Sequence, residues 1–287
     1  MEGDALLARL TKIRATEPTA ILEALKRRRR RPLLNDAGTT LLIAADHGAR
    51  GVLGARGDPM AMADRGDLLR RLMIALRDPR VDGVLATPDL VDDLALLGAL
   101  DDRVVFGTMN RGGLAGAAFE FDDRFTSYDA QGIAEAGLTG GKMMFRLHPQ
   151  DEGTLRTLVG CAAAINGLAE RGLPAMIEVF GADPGPDALI QALTVASGLG
   201  RTSAQTWLKL PVVDDMERVM RATSLPTLLL GGDPPDSAAT FVAWQAALRI
   251  PQVRGLVAGR TLLYPADGDV ARAVDAAAEM ISARPPG

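Results

Sequence analysis

Residues 142–180 read KMMFRLHPQDEGTLRTLVGCAAAINGLAERGLPAMIEVF and hold one full turn of the pattern that decides the fold. KMMFRL (142–147) is a short, mostly apolar run. A helical stretch at 152–171 follows, and a second apolar run, AMIEVF (175–180), comes after Gly172 and Pro174. Strand-length apolar runs separated by one helix argue for parallel strands covered on both faces. The same rhythm extends in both directions. Upstream lie LLIAAD (41–46), GVLAT (83–87) and VVFGTM (104–109). Downstream lie TWLKL (206–210), TLLL (227–230) and GLVA (255–258). Helical patterns fall between them at 64–77, 89–99, 127–137, 186–199, 214–223 and 236–249, and a last one at 268–282. Eight such units predict an α/β protein, a closed (β/α)8 TIM barrel rather than an open sheet.

The N-terminal part differs. Apolar spacing predicts two extra helices, at 4–14 and 17–31, placed to cap the barrel bottom or to mediate oligomerisation. This divides the chain into a helical extension, 1–38, and a barrel, 39–287, with no linker between them. The second helix ends in Lys26 and Arg27 to Arg31 before Pro32. Cations in a last turn complement the helix dipole and proline stops the helix; a nucleic-acid patch is the weaker reading of a lone basic run.

The chain has 287 residues, 47% hydrophobic and 24% charged, with net charge −4, which argues against a nucleic-acid binder. Cys161 is the single cysteine, and it sits in the apolar segment LVGCAAAI as a packed small residue. With only His47 and His148, an all-histidine metal site is excluded, and the expectation is neither metal nor cofactor. No secretory signal and no apolar run of membrane-spanning length are visible, so a cytoplasmic protein is expected. Of the 32 basic residues, only Lys12, Lys26, Lys142 and Lys209 are lysines. A sequence that otherwise writes Arg invites the question of why those remain.

The strand pattern answers for two of them. A barrel strand alternates between the interior and the helix layer, and a charge on it must be paired or functional. In TWLKLP, Lys209 shares its parity with Trp207 and Pro211, so its amine points into the barrel mouth. Desolvation there lowers a lysine pKa and makes the amine a nucleophile. In GGKMMFRL, Lys142, Met144 and Arg146 share one face. Lys142 then reaches toward Lys209 as a neighbouring cation, and Lys142 or Arg146 could instead hold an anionic substrate group. Glu178 lies between the two lysine strands, and Asp46 ends the first. Both carboxylates suit proton transfer to and from an amine nucleophile; charge balance alone explains them too. LLLGGD and LVAGRT end strands seven and eight with Gly231, Gly232, Gly259 and Arg260, a setting for a phosphate. His47 is a site residue or an ordinary turn histidine, and His148 belongs to the rim. The stretches 47–63 and 110–126 are the longest irregular segments and follow strand ends, where barrel active sites are built. The Asn110, Arg111, Gly112 and Gly113 loop after strand three is placed to close over substrate; its glycines permit motion there or serve ordinary loop geometry.

Taken in order, AADHG (44–48), GGKMMFRLHPQDE (140–152), WLKLP (207–211), LLLGGD and AGRTLL resemble the class I, Schiff-base aldolases: the deoxyribose-phosphate, tagatose-bisphosphate and archaeal-type fructose-bisphosphate enzymes. The likeness spans most of 41–265. It implies Lys209 as the Schiff-base residue, Lys142, Glu178 and Asp46 as its catalytic partners, and a small phosphorylated sugar as substrate. The loop at 109–125 has no counterpart in the well-known aldolases. The variant resembles actinobacterial proteins associated with inositol catabolism, which implies cleavage of 6-phospho-5-dehydro-2-deoxygluconate and a homo-oligomeric enzyme. Two rival readings are a metal-assisted barrel lyase or isomerase that uses Asp46 and Glu178, and a non-catalytic phosphosugar-binding barrel.

Overall fold

The structure is a computed structural model that describes residues 2–233 and 237–283. Two helices, α1 (Glu2–Thr16) and α2 (Thr19–Arg27), precede the barrel. The alternation then runs β1 (Thr40–Ala45), α3 (Arg65–Arg77), β2 (Gly83–Ala86), α4 (Pro88–Leu96), β3 (Val104–Thr108), α5 (Ala130–Glu135) and β4 (Gly140–Arg146). It continues through α6 (Glu152–Ala169), β5 (Ala175–Phe180), α7 (Pro186–Ser197), β6 (Thr206–Leu210), α8 (Met216–Met220), β7 (Thr227–Leu230), α9 (Ser237–Ala247) and β8 (Val253–Ala258). A short α10 (Arg260–Leu263) and α11 (Val270–Ser282) close the order. All eight strands pair in parallel and in sequence, and β8 pairs with β1, so the sheet is a closed (β/α)8 barrel.

Local chemistry sets the helix starts. The carboxylates of Asp64, Asp129, Asp151 and Asp269 each accept a first-turn backbone N–H, of Asp67, Gly132, Gly153 and Arg272 respectively. Pro88 and Pro186 occupy first-turn positions where no N–H is needed. Strand parity then separates two cores. Leu42, Leu85, Val104, Phe106, Met176, Leu228 and Val257 fill the barrel interior, whereas Ile43, Val84, Val105, Ile177 and Leu229 face the helices. Each such side chain, fully buried, contributes about 1.5–3 kcal/mol.

The bottom of the barrel is arranged differently from the sequence reading. The second helix ends at Arg27, not at residue 31, and Arg28 is already extended. α1 and α2 lean on the outer helices α3 and α4. The basic segment after α2 closes the bottom instead. Arg28, 8% exposed, donates to the carbonyls of Arg103 and Gly137. Arg29 pairs with Asp101, and Arg31 with the buried Asp82 at 2.8 Å. Leu33 packs against the interior core. Those cations stop the helix early because carbonyls and acids at the bottoms of several strands offer partners that a helix end cannot match. Among the described residues no helix is long and apolar enough to cross a membrane.

Candidate active site

The registers of β4, β5 and β6 determine how the interior charges meet. Glu178 lies directly opposite Lys209 on β6 and Met144 on β4. Lys142 lies one layer lower, opposite Met176 and Thr108. Its flexible four-carbon stem carries the amine up to the carboxylates. Lys142 Nζ is 3.0 Å from Asp46 Oδ2 and pairs closely with Glu178 Oε2. Lys209 Nζ is 2.8 Å from Glu178 Oε1. Arg111, on the loop after β3, pairs with the same Asp46 Oδ2 and also donates to Thr108 Oγ1. The result is a row of alternating charge: Arg111, Asp46, Lys142, Glu178, Lys209. All five residues are buried.

Position separates the two lysines. A cavity of about 270 Å3 opens at the C-terminal ends of the strands, with Asp46, His47, Arg111, Glu178 and Lys209 in its wall. Lys142, at 0% exposure, is sealed beneath that wall. Burial pushes both amines below the ordinary lysine value, Lys142 well below. Glu178 pulls each back, and Arg111 lowers both further. For Lys209 Arg260 is a further lowering cation, and the mutual repulsion of the two lysines expected from the sequence lowers Lys142. Burial alone would raise Glu178, yet Lys142, Lys209 and Arg111 hold it well below the usual carboxylate range. Lys142 bridges the two carboxylates where a dication would have to sit. Among the described residues no group of three or more His, Cys, Asp or Glu side chains forms a metal-binding set.

Leu230, Gly231, Gly232, Gly259 and Arg260 also line the cavity, so the four residues read from the sequence as a phosphate setting come together with Lys209. Gly259 is required sterically: a Cβ there would lie 2.6 Å from His47 Cε1 and closer still to the Ala44 carbonyl. His47 therefore packs under the β8 turn. The ring keeps some exposure to the cavity, but Nδ1 is sealed and has no hydrogen-bond partner among the described residues. Burial, with Arg260 and Lys209 nearby, pushes its pKa down to about 3, so the imidazole is neutral. Arg260 Nη1 contacts Asp233 Oδ2 at 3.3 Å and the Gly54 carbonyl at 3.4 Å, both at the rim.

Arg146 lines the cavity but is held by the 110–126 loop. Its Nε donates to Asp123 Oδ2 at 2.9 Å, its Nη1 to Glu120 Oε1 at 3.1 Å, and its guanidinium lies over Phe121. Arg50 donates to the same Glu120 and to the Gly113 carbonyl. The Asn110 side chain continues the β3–β4 ladder, donating to Met144 O at 2.7 Å and accepting from Met144 N at 2.6 Å. Gly112 and Gly113 are close-approach glycines: a Cβ on Gly113 would meet Arg146 Nη2 at 2.6 Å and Asp123 Oδ1 at 2.7 Å. Sequence reasoning placed Arg111 in a loop able to close over substrate but not its pairing with Asp46, and it missed the places of Arg50, Glu120 and Asp123. Their one visible signal was a long polar segment after a strand end.

The model of the Cgl0159-like family matches residues 38–278. The chain belongs to the Cgl0159-like family. The crystal structure of Cgl0159 from Corynebacterium glutamicum (Brevibacterium flavum) is 50% identical, covers 96% of this chain and 97% of its own, and superposes with a TM-score of 0.94. An archaeal fructose 1,6-bisphosphate aldolase is similar at 17% identity and TM-score 0.68, over 91% of this chain and 98% of its own. A Schiff-base-forming fructose-1,6-bisphosphate aldolase is similar at 16% identity and TM-score 0.67, over 91% and 99%. Those two likenesses are of fold. A search of curated proteins finds no match. The Cgl0159-like chain thus shares its barrel architecture with class I aldolases.

Proposed function

We propose that this protein is a class I aldolase that makes or breaks a carbon–carbon bond in a phosphorylated ketose or keto-sugar acid through a Schiff base on Lys209. The observation that carries this reading is the position of Lys209. Among the described lining residues it is the one lysine of the cavity, at the end of a buried row of charges, with its pKa lowered and one carboxylate at 2.8 Å. Buried ion pairs are poor stabilising devices because desolvation offsets their attraction. A row of five in a cleft is better explained by chemistry.

The neutral Lys209 amine adds to the substrate ketone. Glu178 takes a proton from the nitrogen of the adduct while its alkoxide takes one from solvent, and Glu178 then returns its proton to the hydroxyl, which leaves as water to form an iminium. A base then removes the proton of the hydroxyl on the carbon beta to the iminium carbon. The bond between the alpha and beta carbons breaks, an aldehyde leaves, and its electron pair forms an enamine on Lys209. Asp46 suits that base: it lines the cavity, and its Oδ1 has no hydrogen-bond partner among the described residues. Protonation at carbon and hydrolysis of the iminium release the ketone product and the amine. Lys142 holds the two carboxylates apart and charged.

With the Lys209 amine neutral, the lining carries four cations, Arg50, Arg111, Arg146 and Arg260, against Asp46 and Glu178. That balance favours a substrate with more than one negative charge. Gly231, Gly232, Gly259 and Arg260 suit its phosphate. A substrate carrying both a carboxylate and a phosphate, such as 6-phospho-5-dehydro-2-deoxygluconate cleaved to dihydroxyacetone phosphate and malonate semialdehyde, agrees with this wall. Borohydride reduction in the presence of dihydroxyacetone phosphate and a panel of phosphorylated ketoses, read by peptide mass spectrometry, tests the reading. An adduct on the Lys209 peptide, lost in Lys209→Met, is expected. An adduct on Lys142, or none with any ketone, overturns it.

A further inference from the structure

The row of charges has an odd number of members, and its two ends differ. Arg111 stands at one end and cannot lose its proton at any ordinary pH. Lys209 stands at the other and touches one carboxylate, Glu178 Oε1. Lys142, in the middle, touches two. Although burial bears hardest on Lys142, its contacts with both carboxylates hold a proton there ahead of Lys209, which has one; with Asp46 and Glu178 ionised, Arg111 and Lys142 then balance the row, and a proton on Lys209 would add an uncompensated charge in a buried place. Without Arg111 the same two carboxylates would need both lysines protonated. The other charged or titratable groups around Lys209 leave this count standing. His47, after β1, is neutral. Arg260, after β8, faces Asp233. Arg50 and Arg146 are matched by Glu120 and Asp123. β7 contributes the apolar Leu228 and Leu230.

We propose that Arg111 is a positioning residue for the amine nucleophile: it is the permanent counter-charge of Asp46, which leaves Lys142 to balance Glu178 and the Lys209 amine free of its proton. Arg111 reaches Asp46 because Thr108 Oγ1 accepts from its Nε and because Asn110 pins the start of its loop to β4. The loop at 110–126 therefore acts on the chemistry from outside the strands. This inference rests on Lys209 being the nucleophile, but its test needs no aldolase substrate, so either idea can fail alone.

Trace acetylation with acetic anhydride across pH, quantified by peptide mass spectrometry, reads the fraction of each lysine that is unprotonated. The exposed Lys12 and Lys26 serve as internal references. In the native protein Lys209 should react with a midpoint below theirs. Arg111→Gln should raise the Lys209 midpoint by about 1 pH unit, at the low end of the effect of a neighbouring charge because Arg111 lies at the far end of the row, and leave Lys12 and Lys26 unchanged. Asp46→Asn should move the Lys209 midpoint down, and adding Arg111→Gln to Asp46→Asn should bring it back up. A merely structural role for Arg111 would not give that opposed pair of shifts. Circular dichroism confirms folding. If Arg111→Gln alone does not fold, the comparison of Asp46→Asn with the double variant decides. A Lys209 midpoint that stays the same with and without Arg111, in either background, overturns the proposal.

Discussion

His47 is neutral because it is buried beneath the β8 turn beside Arg260, and that has a measurable consequence for stability. In the unfolded chain His47 takes up a proton below its ordinary pKa of 6.5. In the folded protein it does so only near pH 3. Between those values the unfolded state binds more protons, so each fall in pH favours unfolding. From pH 7 to pH 5 the full shift corresponds to about 2 kcal/mol of lost stability, at about 1.4 kcal/mol per pH unit once below 6.5. The ring keeps some exposure to the cavity, and water reaching it there reduces the expected effect to about 1–2 kcal/mol. The window is informative because Glu178, held well below 4.5, begins to lose its contribution only in more acid solution. Urea denaturation of the native protein and of His47→Gln at pH 7 and pH 5 provides the assay. Groups common to both proteins cancel in the difference. The native protein should lose about 1–2 kcal/mol more than His47→Gln on going to pH 5. An equal loss in both would refute the claim that burial and the neighbouring Arg260 keep this imidazole unprotonated.

Two further outcomes follow from close contacts. Gly113→Ala forces a Cβ against Arg146, Asp123 and the Glu120 carbonyl. It should destabilise the 110–126 loop by about 1–3 kcal/mol, seen as faster amide exchange at 112–124; unchanged exchange would mean the loop is not held by these contacts. Asp82 accepts the Leu41 N–H at 2.8 Å and pairs with Arg31 at the barrel bottom. Asp82→Ala leaves that buried N–H unsatisfied and should lower unfolding stability by about 1–3 kcal/mol, with borohydride trapping unaffected once the protein is folded.

Much of the architecture was legible in the sequence because it depends on local periods. Runs such as KMMFRL and AMIEVF declare strands, Asp and Pro at helix starts declare boundaries, and strand parity alone sends Lys142, Glu178 and Lys209 to the same side of the sheet. The resemblance to Schiff-base aldolases rested on those same residues in their order along the chain. Closure of the barrel decided what periodicity does not carry. Parity says that a side chain points inward, but not how high its layer lies, so it did not separate the sealed Lys142 from Lys209 in the cavity wall; that difference comes from a two-residue offset in register against Glu178. Loops have no period at all. The pairing of Arg111 with Asp46, 65 residues apart, and the capture of Arg146 by Glu120 and Asp123 arise only when the β1, β3 and β4 ends share one mouth. The arginine run after α2 shows the same division. Its charge was plain in the sequence, but its conformation was decided by Asp82, Asp101 and the carbonyls of Arg103 and Gly137, partners that the folded barrel alone brings beneath it.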